Sequence, residues 1–115
     1  MSITIYHNNR CGTSRAVLEM IREAGAEPIV VDYMKTPPER ELLLAMLVAM
    51  DLSPRALLRT REAAYTELGL ANTELTDRDL LDALIAHPQL MERPVVISEK
   101  GVRLCRPKEK VLEIL

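Results

Sequence analysis

The chain has 115 residues, enough for one domain with a single modest core. Hydrophobic residues make up 48% and aromatics 3%, with no Trp and no Phe, so the chain folds and its core is aliphatic. A net charge of −2 and scattered Tyr6, Tyr33 and Tyr65 argue against a basic, base-stacking face for nucleic acid.

The longest apolar run, residues 42–50, is far short of the roughly 20 residues a helix needs to cross a bilayer. The N-terminus turns polar too early for a secretory signal, so a cytoplasmic location is expected. In that compartment Cys11 and Cys105 are expected as thiols rather than a disulfide.

Ile3-Thr4-Ile5-Tyr6-His7 alternates and is rich in β-branched residues, which predicts a first strand. Asn8-Asn9-Arg10 is a polar turn. From Cys11 the pattern becomes helical, with Val17, Leu18, Ile21 and Ala24 on one face and Gly25 as the stop. Pro28-Ile29-Val30-Val31-Asp32 predicts a short buried strand, parallel to the first across a right-handed crossover. Thr36-Pro37-Pro38-Glu39 predicts a helix start, with Thr36 capping and Glu39 completing a capping box.

That helix is expected to reach about Met50. Ser53-Pro54 begins a shorter one ending near Arg59, residues 62–68 form another before Gly69, and Thr76-Asp77 opens one that ends before His87-Pro88. Pro94-Val95-Val96-Ile97-Ser98 and Val102-Arg103-Leu104-Cys105 predict a hairpin around Glu99-Lys100-Gly101. Arg106-Pro107 then opens a final helix. This element order is similar to a thioredoxin-like domain. The expected fold is α/β, with a mixed four-stranded sheet, a helical insertion between the second and third strands, and residues 1–115 as one domain.

Cys11 falls between the first strand and the first helix. Free N–H groups and the positive end of the helix dipole favour thiolate there, and Arg10 and Arg15 add charge. A free thiol titrates near 8.5, and such surroundings commonly bring it to roughly 3.5–7.5. A polar turn is also a poor place to bury a thiol, so Cys11 is read as a nucleophile. Ser14, not Cys, stands at the fourth place of Cys11-Gly12-Thr13-Ser14, so a mixed disulfide on Cys11 needs an external thiol, and Ser14 is placed to donate to the sulfur. Val17 excludes a Cys-x5-Arg phosphate loop, and two Cys and two His without metal spacing give no zinc site. Cys105 reads as a strand residue without a redox role, and His87 as a helix-end residue.

His7-Asn8-Asn9-Arg10-Cys11-Gly12-Thr13-Ser14-Arg15 resembles the N-terminal signature of the glutaredoxin-dependent arsenate reductases. The resemblance continues through Arg55-Ala56-Leu57-Leu58-Arg59, residues 82–88, Arg93-Pro94-Val95-Val96 and Arg103-Leu104-Cys105-Arg106-Pro107, so it spans nearly the whole chain. It implies that Cys11 attacks arsenate, that Arg59, Arg93 and Arg106 hold the oxyanion, and that His7 lies close to the thiolate. It implies glutathione as co-substrate, glutaredoxin as partner, no bound cofactor or metal, and a cis Arg93–Pro94 bond. The chain departs from the family at Asn9, where many members carry Pro, which implies a looser turn before Cys11, and in stopping soon after the last motif.

Guanidinium forks suit such an anion, which they meet bidentately. Arg55, Arg61 and Arg103 keep a surface reading. The rival functions are a glutathione-dependent thiol reductase of another substrate and an Spx-like regulator that binds RNA polymerase. Ser14 argues against the second, whose members usually carry a Cys-x-x-Cys pair.

Overall fold

A computed structural model of the protein describes residues 2–115. Its chain divides into two compact units, one formed by the chain up to Thr36 together with Arg93–Leu115, the other by Pro37–Glu92.

The first unit is a thioredoxin-like α/β sheet layer. Its strands are β1 (Thr4–His7), β2 (Ile29–Asp32), β3 (Val95–Ser98) and β4 (Gly101–Leu104), in the order β2-β1-β3-β4. β1 runs parallel to β2, with Thr4 opposite Ile29 and His7 opposite Asp32. β3 is antiparallel to β1 (Tyr6 opposite Val95) and to β4 (Ser98 opposite Gly101). The helix α1 (Gly12–Glu23) makes the crossover between the two parallel strands, and Gly25 follows it at φ 90°, a conformation glycine takes without a Cβ clash.

Alternation along β1 sends Ile3 and Ile5 to one side, where they meet Val17 and Ile21 from successive turns of α1. Val96, Cys105, Val111 and Ile114 complete that cluster. With no Phe or Trp available, this core holds by branched aliphatic packing, at roughly 1.5–3 kcal/mol for each fully buried side chain.

Three expectations need correction here. β2 is not buried: it is an edge strand, with Ile29 59% and Val30 42% exposed. A run of apolar β-branched residues reads the same at a sheet edge as in its centre. The C-terminal segment, Lys108–Glu113, is a 3-10 helix rather than an α-helix. Its buried side chains Val111 and Ile114 lie three apart, the spacing that a three-residue turn superimposes. The hairpin's second strand also begins one residue early, at Gly101. Arg93–Pro94 is cis, as expected, and Arg106–Pro107 is cis as well.

The second unit contains α2 (Arg40–Met50), α3 (Pro54–Leu57), α4 (Ala63–Glu67), α5 (Asp77–Ala86) and a 3-10 turn at Pro88–Leu90. α2 starts at Arg40 and not at the prolines. Glu39 occupies its N-cap without a side-chain cap bond, and the Thr36 N–H donates to the Asp32 carbonyl instead. The reason is steric: Pro38 disfavours helical geometry at Pro37, so the chain runs extended through the pair. α3 and α5 are capped as the sequence predicts, by Ser53 on the Ala56 N–H and by a closed box between Thr76 and Asp79. Arg55 is no idle surface residue. Its guanidinium donates to the carbonyls of Leu70 at 2.9 Å and Asn72 at 3.0 Å, holding the segment after α4. No helix among the described residues is long and apolar enough to cross a membrane.

Candidate active site

Cys11 is the N-cap residue of α1, with extended backbone (φ −91°, ψ 120°) that turns its side chain across the start of the helix. Its N–H donates to the Asn8 carbonyl at 3.0 Å, which closes the turn out of β1. The sulfur is half-buried. It closes no cap hydrogen bond on the first turn, yet the Ser14 backbone N–H faces it as a longer polar contact.

Two arginines reach the same sulfur from the neighbouring strand ends. Arg106, just after β4, places Nη1 3.8 Å from Cys11 Sγ and donates from the same nitrogen to the Arg93 carbonyl at 3.0 Å. Arg93, just before β3, adds its own side chain to the sulfur's surroundings. Partial burial pushes the Cys11 thiol up. The Ser14 amide, the donors of Arg93 and Arg106 and the Arg93 charge outweigh it, and the thiol sits below its ordinary value. Arg106 also lines a hollow of about 260 Å³ with Thr13, Pro107, Lys108 and Glu109.

The charges that act on Cys11 are therefore not those adjacent in sequence. Arg10 is exposed, and the Arg15 guanidinium donates to the Asn9 carbonyl at 2.9 Å, strapping the turn. Ser14 also differs from expectation. Its hydroxyl, fully buried, lies 2.6 Å from His7 Nδ1 and accepts the Asn8 N–H at 3.1 Å. It is thus engaged away from the sulfur, and it is the Ser14 amide that faces Cys11. His7, 7% exposed at the end of β1, meets Ser14 and bonds to Cys11 through no atom of its own. Ser14 links His7 and Cys11, with its hydroxyl on the imidazole and its amide on the sulfur.

Arg59 belongs to the helical unit. Its backbone N–H donates to the Leu90 carbonyl at 2.7 Å. Its guanidinium stands 3.8 Å from the Glu62 carboxylate and 3.9 Å from that of Glu92. Nη1 is buried and makes no hydrogen bond among the described residues. Arg59 is thus ion-paired within the helical unit, with one buried donor left without a hydrogen bond there.

Asn8 is a residue the sequence reading passed over as generic turn. All its polar groups are used, on Cys11, Ser14, Arg10 and Tyr33. The available signal was an Asn two residues before a residue whose N–H it takes, the pattern of a side-chain turn. The turn before Cys11 is thereby tied by hydrogen bonds at Asn8, Arg10 and Cys11. Cys105 is fully buried in the aliphatic cluster, and burial pushes its thiol up to about 12, with Arg103, Glu113 and Lys110 as smaller influences. Among the described residues no group of three or more His, Cys, Asp or Glu could hold a metal ion.

The arrangement is a thiol biased toward its anion, faced by two guanidiniums able to receive an oxyanion. The chain is similar over its whole length to known proteins. The chain is 53% identical to an arsenate reductase of Escherichia coli (strain K12) over 114 residues, covering 99% of this chain and 81% of that one. It is 51% identical to an arsenate reductase of Rhizobium meliloti (strain 1021) over 115 residues, covering 100% and 82%. The solved structure of an arsenate reductase from Vibrio cholerae superimposes with a TM-score of 0.95 at 40% identity, covering 100% of this chain and 98% of that one. The pattern of the ArsC family matches residues 6–114, and the chain belongs to that family.

Proposed function

We propose that this protein is a cytoplasmic arsenate reductase that uses Cys11 as nucleophile and takes its electrons from glutathione and glutaredoxin. The observation that carries the reading is the Cys11 sulfur at the start of α1, with Arg93 and Arg106 turned on it. Arg93 and Arg106 hold the oxyanion, and their fixed positive charge stabilises the crowded anionic transition state. His7 and Ser14 keep the start of α1 in register, so that the Ser14 amide stays on the sulfur.

The thiolate attacks arsenic, an S–As bond forms, and an arsenate oxygen leaves as water after taking up protons. A glutathione thiolate then attacks the Cys11 sulfur. The S–As electron pair passes to arsenic, which goes from As(V) to As(III), and the two sulfurs become a mixed disulfide. A glutaredoxin thiolate takes the glutathione from that disulfide and returns Cys11 as thiolate. Attack by the buried Cys105 is not part of this scheme, since burial pushes its thiol up to about 12 and leaves almost no thiolate near neutrality.

The test is arsenite production from arsenate with glutathione and glutaredoxin. Wild type and Cys11→Ser, Cys105→Ser variants are compared. Cys11→Ser is expected to abolish arsenite formation and Cys105→Ser to retain it. Activity in both variants, or glutathione oxidation by wild type that ignores arsenate, would sink the proposal.

A further inference from the structure

We propose that Asn8 is a positioning residue for the Cys11 sulfur, its side chain tying the turn to Tyr33 and to the Arg10 N–H. The turn between β1 and α1 has almost no packing of its own, because Asn9 and Arg10 are exposed. Hydrogen bonds must therefore set where Cys11 enters the helix, and most of them converge on one residue. The Asn8 carbonyl accepts the Cys11 N–H at 3.0 Å, and its side-chain oxygen accepts the Arg10 N–H at 2.9 Å. Its side-chain nitrogen donates to the Tyr33 hydroxyl at 3.3 Å, and its backbone N–H donates to Ser14 Oγ at 3.1 Å.

Each bond has a separate consequence. Tyr33 is fully buried beyond the end of β2, so its hydroxyl is a fixed point onto which the amide ties the turn. The Arg10 bond sets the turn's curvature just before the cysteine. The backbone bond to Ser14 holds that hydroxyl beside His7, while the Ser14 amide is the group that faces the sulfur. No residue smaller than Asn can both close the turn and reach Tyr33. Asp offers the acceptor but, once ionised, puts a negative charge beside the thiolate.

This inference deepens the proposed activity by naming what aims its nucleophile, but its test needs no arsenate. The full-length protein carrying Asn8→Ala or Tyr33→Phe is alkylated with iodoacetamide across a pH series. Cys11 modification is followed by mass spectrometry, with a melting curve recorded for each variant. Asn8→Ala removes the side-chain bonds and leaves both backbone ones. It is expected to raise the titration midpoint of Cys11 alkylation by about one unit, which is a tenfold loss of rate at pH values below the wild-type midpoint. Tyr33→Phe, which removes only the anchor, is expected to move the profile the same way by less.

A folded Asn8→Ala whose pH–rate profile superimposes on wild type overturns the proposal, whatever its melting temperature. If Asn8→Ala fails to fold, Tyr33→Phe decides alone, and an unchanged profile there overturns it equally. A wild type inactive on arsenate would defeat the functional reading and leave this result standing.

Discussion

At the scale of single residues, the sulfur of Cys11 is governed by groups remote in sequence. Arg106 stands 95 positions along the chain from it and still places a guanidinium nitrogen 3.8 Å away. That nitrogen also donates to the Arg93 carbonyl, so the same bond that aims Arg106 joins the two arginines. The thiolate is the reactive form, and its folded titration lies below the ordinary thiol value. Alkylation of Cys11 is therefore expected to rise with pH through a midpoint below that of a free peptide cysteine. Arg106→Ala removes one donor and leaves the burial that pushes the thiol up, so the midpoint moves to higher pH and the rate at neutrality falls severalfold. Arg106→Lys is expected to rescue little, because a single ammonium lacks the guanidinium's planar fork. A midpoint in Arg106→Ala equal to wild type would show that Arg93 and the helix start suffice. Cys11 itself, with its place at a strand-to-helix junction, was legible in the sequence. Its real neighbours were not legible from spacing, because they arrive through strand pairing, and only the resemblance pointed to Arg93 and Arg106. The Ser14 hydroxyl was misread for the same reason: its partner His7 lies seven positions back, on another element.

At the scale of elements, local signals decided most boundaries correctly, and they failed where tertiary context or backbone sterics overrode them. Thr76 shows the local signal at its clearest. Its hydroxyl accepts the Asp79 N–H at 3.2 Å, and the Asp79 carboxylate accepts the Thr76 N–H at 2.9 Å, so the free donors at the start of α5 are met within one turn. Thr76→Ala breaks half of that box. It is expected to cost about 1 kcal/mol, read as a lower midpoint in urea with an unchanged slope. Asp79→Ala opens the other half and should cost a similar amount. The pair Thr36 and Glu39 carries the same letters and makes no such box, because Pro37 and Pro38 hold the chain extended until Arg40. Pattern alone does not distinguish the two sites; the second proline does. β2 is the converse case. Its apolar run identified a strand and its parallel partner, while its position at the sheet edge depends on where β3 docks, which no local pattern encodes.

At the scale of the whole molecule, the element order predicted the thioredoxin-like sheet, and the segment between β2 and β3 forms a compact unit of its own. Periodicity reports which face of an element is apolar and not which core it joins. The aliphatic cluster around Cys105 gives the sheet unit a stability signature of its own. Burial raises the Cys105 thiol to about 12, whereas an unfolded cysteine titrates near 8.5. The fold therefore favours the neutral thiol. Below the unfolded value both states are protonated and this contribution is complete. As pH rises past it, the unfolded chain releases its proton while the native chain keeps it, and stability falls until the folded value is reached. Tyr6, whose hydroxyl is likewise raised by burial, adds to the decline from higher pH. Melting temperature is thus expected to drop through the alkaline range in wild type. In Cys105→Ala the starting stability is lower, because a buried sulfur is lost from a packed cluster, but the drop between about pH 8.5 and 10 is shallower. Parallel alkaline limbs in the two proteins would mean that Cys105 is as accessible to water as in the unfolded chain. Native-state labelling at neutral pH gives the complementary readout. Cys11 should react at once, and Cys105 only as fast as the sheet unit opens.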